Sequence, residues 1–140
     1  MNTLILDTNA YSAFGRGDRD AIKLISAMDL IWMPAMVLGE LRSGFAMGKQ
    51  SVVNELALQS FLSSTRVSVA SITAVTSLHY ANIYQTLKKK GSPIPSNDLW
   101  IAACCRELNE PLYSFDAHFG AVEGVTQVGS SADWVALQSK

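Results

Sequence analysis

Cysteine is nearly absent: the chain has two, Cys104 and Cys105, and they are neighbours. Adjacent positions on a predicted helix point roughly 100° apart, so the pair offers no metal-ligand spacing and reads as buried, reduced thiols. An excess of positive charge is also lacking, since 11 lysines and arginines stand against 12 acids, a net charge of -1 at pH 7. This net charge makes no global case for a nucleic-acid partner. Charged residues of either sign are few, 16% against 49% apolar. That balance suggests that a partner covers some apolar surface, most simply as a homodimer. No basic segment precedes the N-terminal apolar run, and no uncharged apolar stretch approaches the ~18 residues of a membrane span. A cytoplasmic protein without membrane insertion is expected. No repeat, low-complexity tract or linker interrupts the 140 residues, which suit a single domain over 1–140 with a substantial core.

What the sequence does contain is an alternation of short apolar runs and helical periodicities. Leu4-Ile5-Leu6, closed abruptly by Asp7-Thr8-Asn9, reads as a buried central strand that delivers a carboxylate to its C-terminal end. Further strands are expected over Leu30 to Met33, Arg66 to Ala70, Leu112 to Phe115 and Val125 to Val128. A helix begins at Tyr11 to Phe14 and breaks at Gly15-Arg16-Gly17. Asp18 caps a second helix, Asp20 to Met28, with Ile22 and Ile25 on its apolar face. A third runs from Ala35 to Met47 with Val37, Leu41, Gly44 and Phe45 inward, and a fourth from Val52 to Leu62. Ser71 or Thr73 caps a long helix to Lys90 whose apolar positions include Val75, Leu78, Ile83 and Leu87, and Gly91 stops it. Ser96 caps a helix from Asn97 to Leu108, and Asp133 to Leu137 form a small terminal helix carrying Trp134. Such β-α alternation favours an α/β fold, a parallel sheet covered by helices.

Four acids stand out against this frame. Asp7 and Asp116 each close an apolar strand, and the C-terminal ends of strands are where open α/β sheets place their chemistry. Glu40 flanks the inward stripe of its helix, and Arg42, two residues on, faces elsewhere and is not an i,i+4 partner for it. Asp98 shares a face with Ile101, Ala102 and Cys105, and in the first turn it meets the positive end of the helix dipole. Like charges at about 4 Å repel by ~4 kcal/mol at an effective dielectric of 20, so a converging cluster needs a cation or raised pKa values. An all-oxygen set without His or Cys points to Mg²⁺ or Mn²⁺. His118 is read by default as a turn histidine with structural contacts, the alternative being a phosphate-orienting role beside Asp116. Lys88 to Lys90 complement the dipole at a helix end. Arg16 and Arg42 are candidates for phosphate contact, whereas Tyr11, Trp32, Tyr80, Tyr84 and Trp100 are expected to pack in a core or a dimer.

Four segments in order, Leu4-Ile5-Leu6-Asp7-Thr8-Asn9, Val37-Leu38-Gly39-Glu40-Leu41 with Gly44, Asn97-Asp98-Leu99-Trp100-Ile101-Ala102-Ala103, and Leu112-Tyr113-Ser114-Phe115-Asp116-Ala117-His118-Phe119, carry a resemblance from Leu4 to about Val128. The chain resembles the PIN-domain nucleases, and within them the VapC-type toxins of bacterial toxin–antitoxin pairs. The resemblance implies a PIN-like parallel sheet of about five strands, ordered 3-2-1-4-5 and sandwiched by helices. It implies a metal-binding catalytic quartet of Asp7, Glu40, Asp98 and Asp116, with Thr8, Asn9 and Ser114 in support. It further implies Mg²⁺ (or Mn²⁺) as cofactor, single-stranded or looped RNA as substrate, 5′-phosphate and 3′-hydroxyl products, and a cognate VapB-type antitoxin as inhibitor. A housekeeping RNA-processing nuclease and a partner-binding module of weak activity are the alternatives. Asn9 occupies the position where a haloacid-dehalogenase-type phosphatase needs a second Asp, so that reading fits poorly.

Overall fold

All four residues of β1 (Thr3–Leu6) are buried, as befits a strand covered on both faces of a parallel sheet. In a computed structural model, which describes residues 1–140, β1 lies at the centre of a five-stranded sheet with β2 (Leu30–Pro34), β3 (Val67–Ala70), β4 (Leu112–Tyr113) and β5 (Gln127–Val128). All pairings are parallel and the order is β3-β2-β1-β4-β5, the expected 3-2-1-4-5. Leu4 pairs with Ile31 on one side of β1, and Leu6 pairs with Tyr113 on the other. This register sets the ends of β1 and β4 side by side, and with them Asp7 and the Ser114–Asp116 segment.

Seven helices flank the sheet: α1 (Thr8–Gly15), α2 (Arg19–Ser26), α3 (Ala35–Met47), α4 (Ser51–Leu62), α5 (Ala74–Lys90), α6 (Ser96–Leu108) and α7 (Ser131–Gln138). Their ends follow local chemistry. Asp18 Oδ1 accepts the Ala21 N–H at 2.9 Å, Thr73 and Thr76 form a reciprocal capping box, and Gly91 ends α5 with a left-handed φ of 72° that disfavours side chains. The α5–α6 seam is packed by Tyr80 against Trp100, ring centroids 4.2 Å apart, while Tyr11 meets Phe61 edge-on at 5.1 Å. Cys104 and Cys105 are buried and unpaired. No helix is long and apolar enough to cross a membrane.

Several local expectations are corrected. Helix α1 begins at Thr8 rather than near Tyr11, because the Asp7 carboxylate caps it and draws Thr8 and Asn9 into its first turn. Ser96 is the first residue of α6 and Pro95 occupies the cap position, with no side-chain cap. Strand β4 ends at Tyr113, two residues earlier than expected, because Ser114 and Phe115 turn out toward the site and a 3₁₀ turn follows at Ala117–Ala121. Ile22, Gly44, Val75 and Leu78 are exposed rather than inward. In α5 the inner stripe is Thr76, Ile83 and Leu87; the Thr76 hydroxyl is tolerated there because it donates to Glu107 Oε1 at 2.6 Å.

Candidate functional site

The C-terminal ends of β1 and β4 open into a cleft of about 400 Å³ lined by Asp7, Thr8, Ser12, Glu40, Asp98 and Asp116 together with Asn9, Arg16 and Phe115. Asp7 is the deepest acid, 4% exposed. Its Oδ1 accepts the Thr8 N–H at 2.8 Å and its Oδ2 the Ser114 hydroxyl at 2.6 Å. Burial raises the Asp7 pKa above the usual carboxylate value, with the charges of Asp98 and Glu40 adding to the rise, while the Ser114 and Thr8 bonds oppose it.

Glu40 is held from the opposite direction in sequence. Thr8 Oγ1 donates to its Oε1 at 2.7 Å, and Asn97 Nδ2 reaches its Oε2 at a long 3.4 Å. One threonine thus ties α1 to α3 across the cleft while its backbone N–H binds Asp7. Asn9 Oδ1 accepts the Phe115 N–H at 3.2 Å, and the Ser114 hydroxyl, besides donating to Asp7, accepts the Asp116 N–H at 3.0 Å. Gln127 on β5 donates to the carbonyls of Ser114 and Asp116 at 3.0 and 2.7 Å, which fixes the turn after β4.

Asp98 projects from the first turn of α6, where the helix dipole favours negative charge. Burial nevertheless holds its pKa above the ordinary value; the hydrogen bond from His118 lowers it, and Asp116 and Glu40 raise it. The imidazole Nδ1 of His118 lies 2.7 Å from Asp98 Oδ2 and 3.1 Å from Asp116 Oδ1, and its pKa is raised chiefly by the Asp98 bond. Asp98, Asp116 and His118 bring one ligand atom each to within 4.8 Å of one another.

All four sequence-selected acids therefore line one cleft, and Thr8, Asn9 and Ser114 each bond to a cleft residue. The tight trio is narrower and includes a histidine. His118 corrects the expectation of a purely structural turn residue: Asp116 caps the 3₁₀ turn by accepting the His118 N–H at 2.9 Å, and this swings the ring back onto the acids. Its offset of two from a strand-closing Asp was the available signal, and Gln127 gave none. Arg42 is also corrected, since it is forked onto Glu55 at 2.9 and 3.1 Å, away from the acids. Lys90 pairs with Glu123 at 3.3 Å and Lys88 lies over the Tyr84 ring at 5.7 Å, so both make structural contacts outside the cleft.

No lysine or arginine forms an ion pair with Asp7, Glu40, Asp98 or Asp116; only His118 does. Buried and half-buried carboxylates gathered without a lysine or arginine partner, two of them held above their ordinary pKa, form a donor set able to hold a divalent cation.

Comparison with known proteins agrees with this geometry. Residues 4–125 match the PIN domain family. The chain is 37% identical to ribonuclease VapC1 of Haemophilus influenzae (strain R2866) over 84 residues, which are 60% of this chain. The match spans 61% of that relative's length. Among solved structures, VapBC2 from Rickettsia felis bound to a DNA fragment from its promoter superposes with a TM-score of 0.82 at 24% identity, covering 90% of this chain and 97% of that one. VapBC-1 from nontypeable Haemophilus influenzae gives a TM-score of 0.78 at 25% identity, covering 90% and 96%.

Proposed function

The chain belongs to the PIN domain family, and on that premise we propose that it is a VapC-type ribonuclease toxin, dependent on Mg²⁺ or Mn²⁺ and restrained in the cytoplasm by a VapB-type antitoxin. The observation that carries the proposal is the shared cleft of Asp7, Glu40, Asp98 and Asp116, with His118 bridging two of them and no lysine or arginine neutralising any. Asp98 and Asp116 would hold the cation, with Asp7 and Glu40, which line the same cleft, completing the donor set.

A Mg²⁺ or Mn²⁺ ion held by these acids would supply Lewis-acid polarisation of a phosphodiester oxygen and a lowered pKa for the attacking water. The chain's own residues set the geometry. Ser114 and Thr8 lock Asp7 in one rotamer, and the Thr8 hydroxyl aims Glu40 into the same cleft. Gln127 and Asn9 hold the backbone that carries Phe115 and Asp116, and His118 bridges the Asp98 and Asp116 carboxylates through one ring nitrogen and so fixes their relative position.

The antitoxin belongs to the proposal because the structural neighbours include VapBC assemblies, and because many large apolar side chains are exposed. Met47, Val52, Val53 and Leu56 lie in and just before α4, and Val69, Ile72, Val75 and Leu78 run from β3 into α5. Such surfaces suit a partner chain and a second copy.

The test is cleavage of total RNA by purified, antitoxin-free protein with Mg²⁺ or Mn²⁺, with EDTA, and with Asp98→Asn as matched control. Discrete products bearing 5′-phosphates, abolished by both EDTA and the substitution, are expected. Cleavage that survives chelation and Asp98→Asn overturns the assignment. Purification from its own two-gene context without a small companion protein counts against the antitoxin.

A further inference from the structure

Two residues of the cleft are unlike the rest. Phe115 is its only hydrophobic lining residue and Arg16 its only lysine or arginine. Neither is explained by holding a metal.

Phe115 is 50% exposed, although the chain around it is well fixed. Its N–H donates to Asn9 Oδ1 at 3.2 Å, and its ring stands edge-on to the buried Tyr113 at 5.4 Å between centroids. An exposed aromatic held from beneath by a buried one forms a pre-ordered flat surface next to Asp116. Arg16 is the C-cap of α1 and forms no ion pair or side-chain hydrogen bond, whereas Arg42 is committed to Glu55. Thr8, Ser12 and Arg16 recur at i+4 along one face of α1, and all three line the cleft. Arg16 therefore stands about 12 Å along the helix from Thr8, at the end of the cleft away from the acids. A guanidinium placed there meets a phosphate flanking the one at the acids.

We propose that Phe115 and Arg16 form a subsite for one unpaired nucleotide of a single-stranded RNA, the base stacked on the Phe115 ring and a flanking phosphate held by Arg16. The subsite rests on the ribonuclease reading and specifies how the acidic cleft takes a polyanion. Four acids without a bound cation repel RNA, so the strand is drawn in by a guanidinium at the far end of the cleft and a π-face that accepts any base. A duplex keeps its bases stacked on each other and cannot offer one to the ring, so the subsite selects unpaired segments.

The test is binding of a fluorescein-labelled single-stranded RNA of ~12 nucleotides, in EDTA so that nothing is cut, followed by anisotropy. A duplex of the same sequence and an abasic ribose-phosphate chain of the same length serve as comparisons. Phe115→Ala weakens single-strand binding about 5- to 150-fold, the range for loss of one base–aromatic stack, and Phe115→Tyr restores it. On the abasic chain Phe115→Ala changes nothing. Arg16→Gln lowers the slope of log affinity against log salt by about 0.7, one phosphate's worth, on both the normal and the abasic strand. Both side chains are at the surface, so the melting temperatures stay near that of the parent protein. Unchanged binding by Phe115→Ala, or an unchanged salt slope in Arg16→Gln, overturns the subsite. If the parent protein cuts RNA in a metal-dependent manner while these variants bind as it does, the subsite falls and the ribonuclease reading stands. If it neither binds nor cuts RNA, both fall.

Discussion

Ser114→Ala removes one buried oxygen atom with two partners. The hydroxyl donates to Asp7 Oδ2 at 2.6 Å and accepts the Asp116 N–H at 3.0 Å, and the residue is 1% exposed. A hydrogen bond to a charged group contributes about 1.5–3 kcal/mol, and a backbone N–H left without a partner costs about 1–3 kcal/mol more. A loss of about 3 kcal/mol corresponds to a fall in Tm of ~10 °C for a chain of 140 residues. The loss should also depend on pH. Burial raises the Asp7 pKa, so the folded protein keeps a proton that the unfolded chain releases, and stability falls as pH rises from the ordinary carboxylate value through the raised one. The Ser114 bond opposes that rise, so its removal pushes the pKa higher and deepens the decline. Thermal unfolding followed by circular dichroism in EDTA should therefore show a larger deficit for Ser114→Ala at pH 7.5 than at pH 4. A deficit below about 3 °C, or an equal deficit at both pH values, refutes the reasoning.

Two further outcomes are expected. Thr8→Val keeps the side chain's shape but removes the donor to Glu40 Oε1, and it should weaken Mn²⁺ binding measured by calorimetry about 10- to 100-fold; unchanged affinity would remove Glu40 from the donor set. Burial pushes the Cys104 thiol up to about 12 and Cys105 well above its ordinary value, so a thiol-reactive disulfide reagent at pH 8 should label neither in the folded protein and both in guanidinium chloride; rapid labelling of the folded chain would contradict that burial.

The parallel α/β class and the four candidate acids were legible in the sequence because they rest on strong local signals, an apolar run closed by a carboxylate at Asp7 and an acid in register with a buried helical stripe at Asp98. The strand order came only from the family resemblance. The unread parts share one physical cause, dependence on a distant partner. Val75 and Leu78 are apolar at helical spacing, yet α5 buries Thr76 instead because Glu107 on α6, 31 residues away, satisfies its hydroxyl. Arg42 looked free because its partner Glu55 lies on the next helix. The His118 ring turns inward only because Asp116 caps the turn beneath it and Asp98 arrives from α6. Helix α1 starts early for a related reason: Asp7, read as a strand end, is also a helix cap, and one residue ends one element while starting the next.

Titration of the metal-free protein with Mn²⁺, followed by electron paramagnetic resonance at pH 7.5, tests most directly whether these carboxylates form a cation site. Wild-type protein should bind Mn²⁺, Asp7→Asn and Asp98→Asn should each bind it more weakly, and acidification should release the ion, because both carboxyls must give up protons held above their ordinary pKa. Equal Mn²⁺ affinity in the wild-type protein and both variants would contradict a metal site built from these acids.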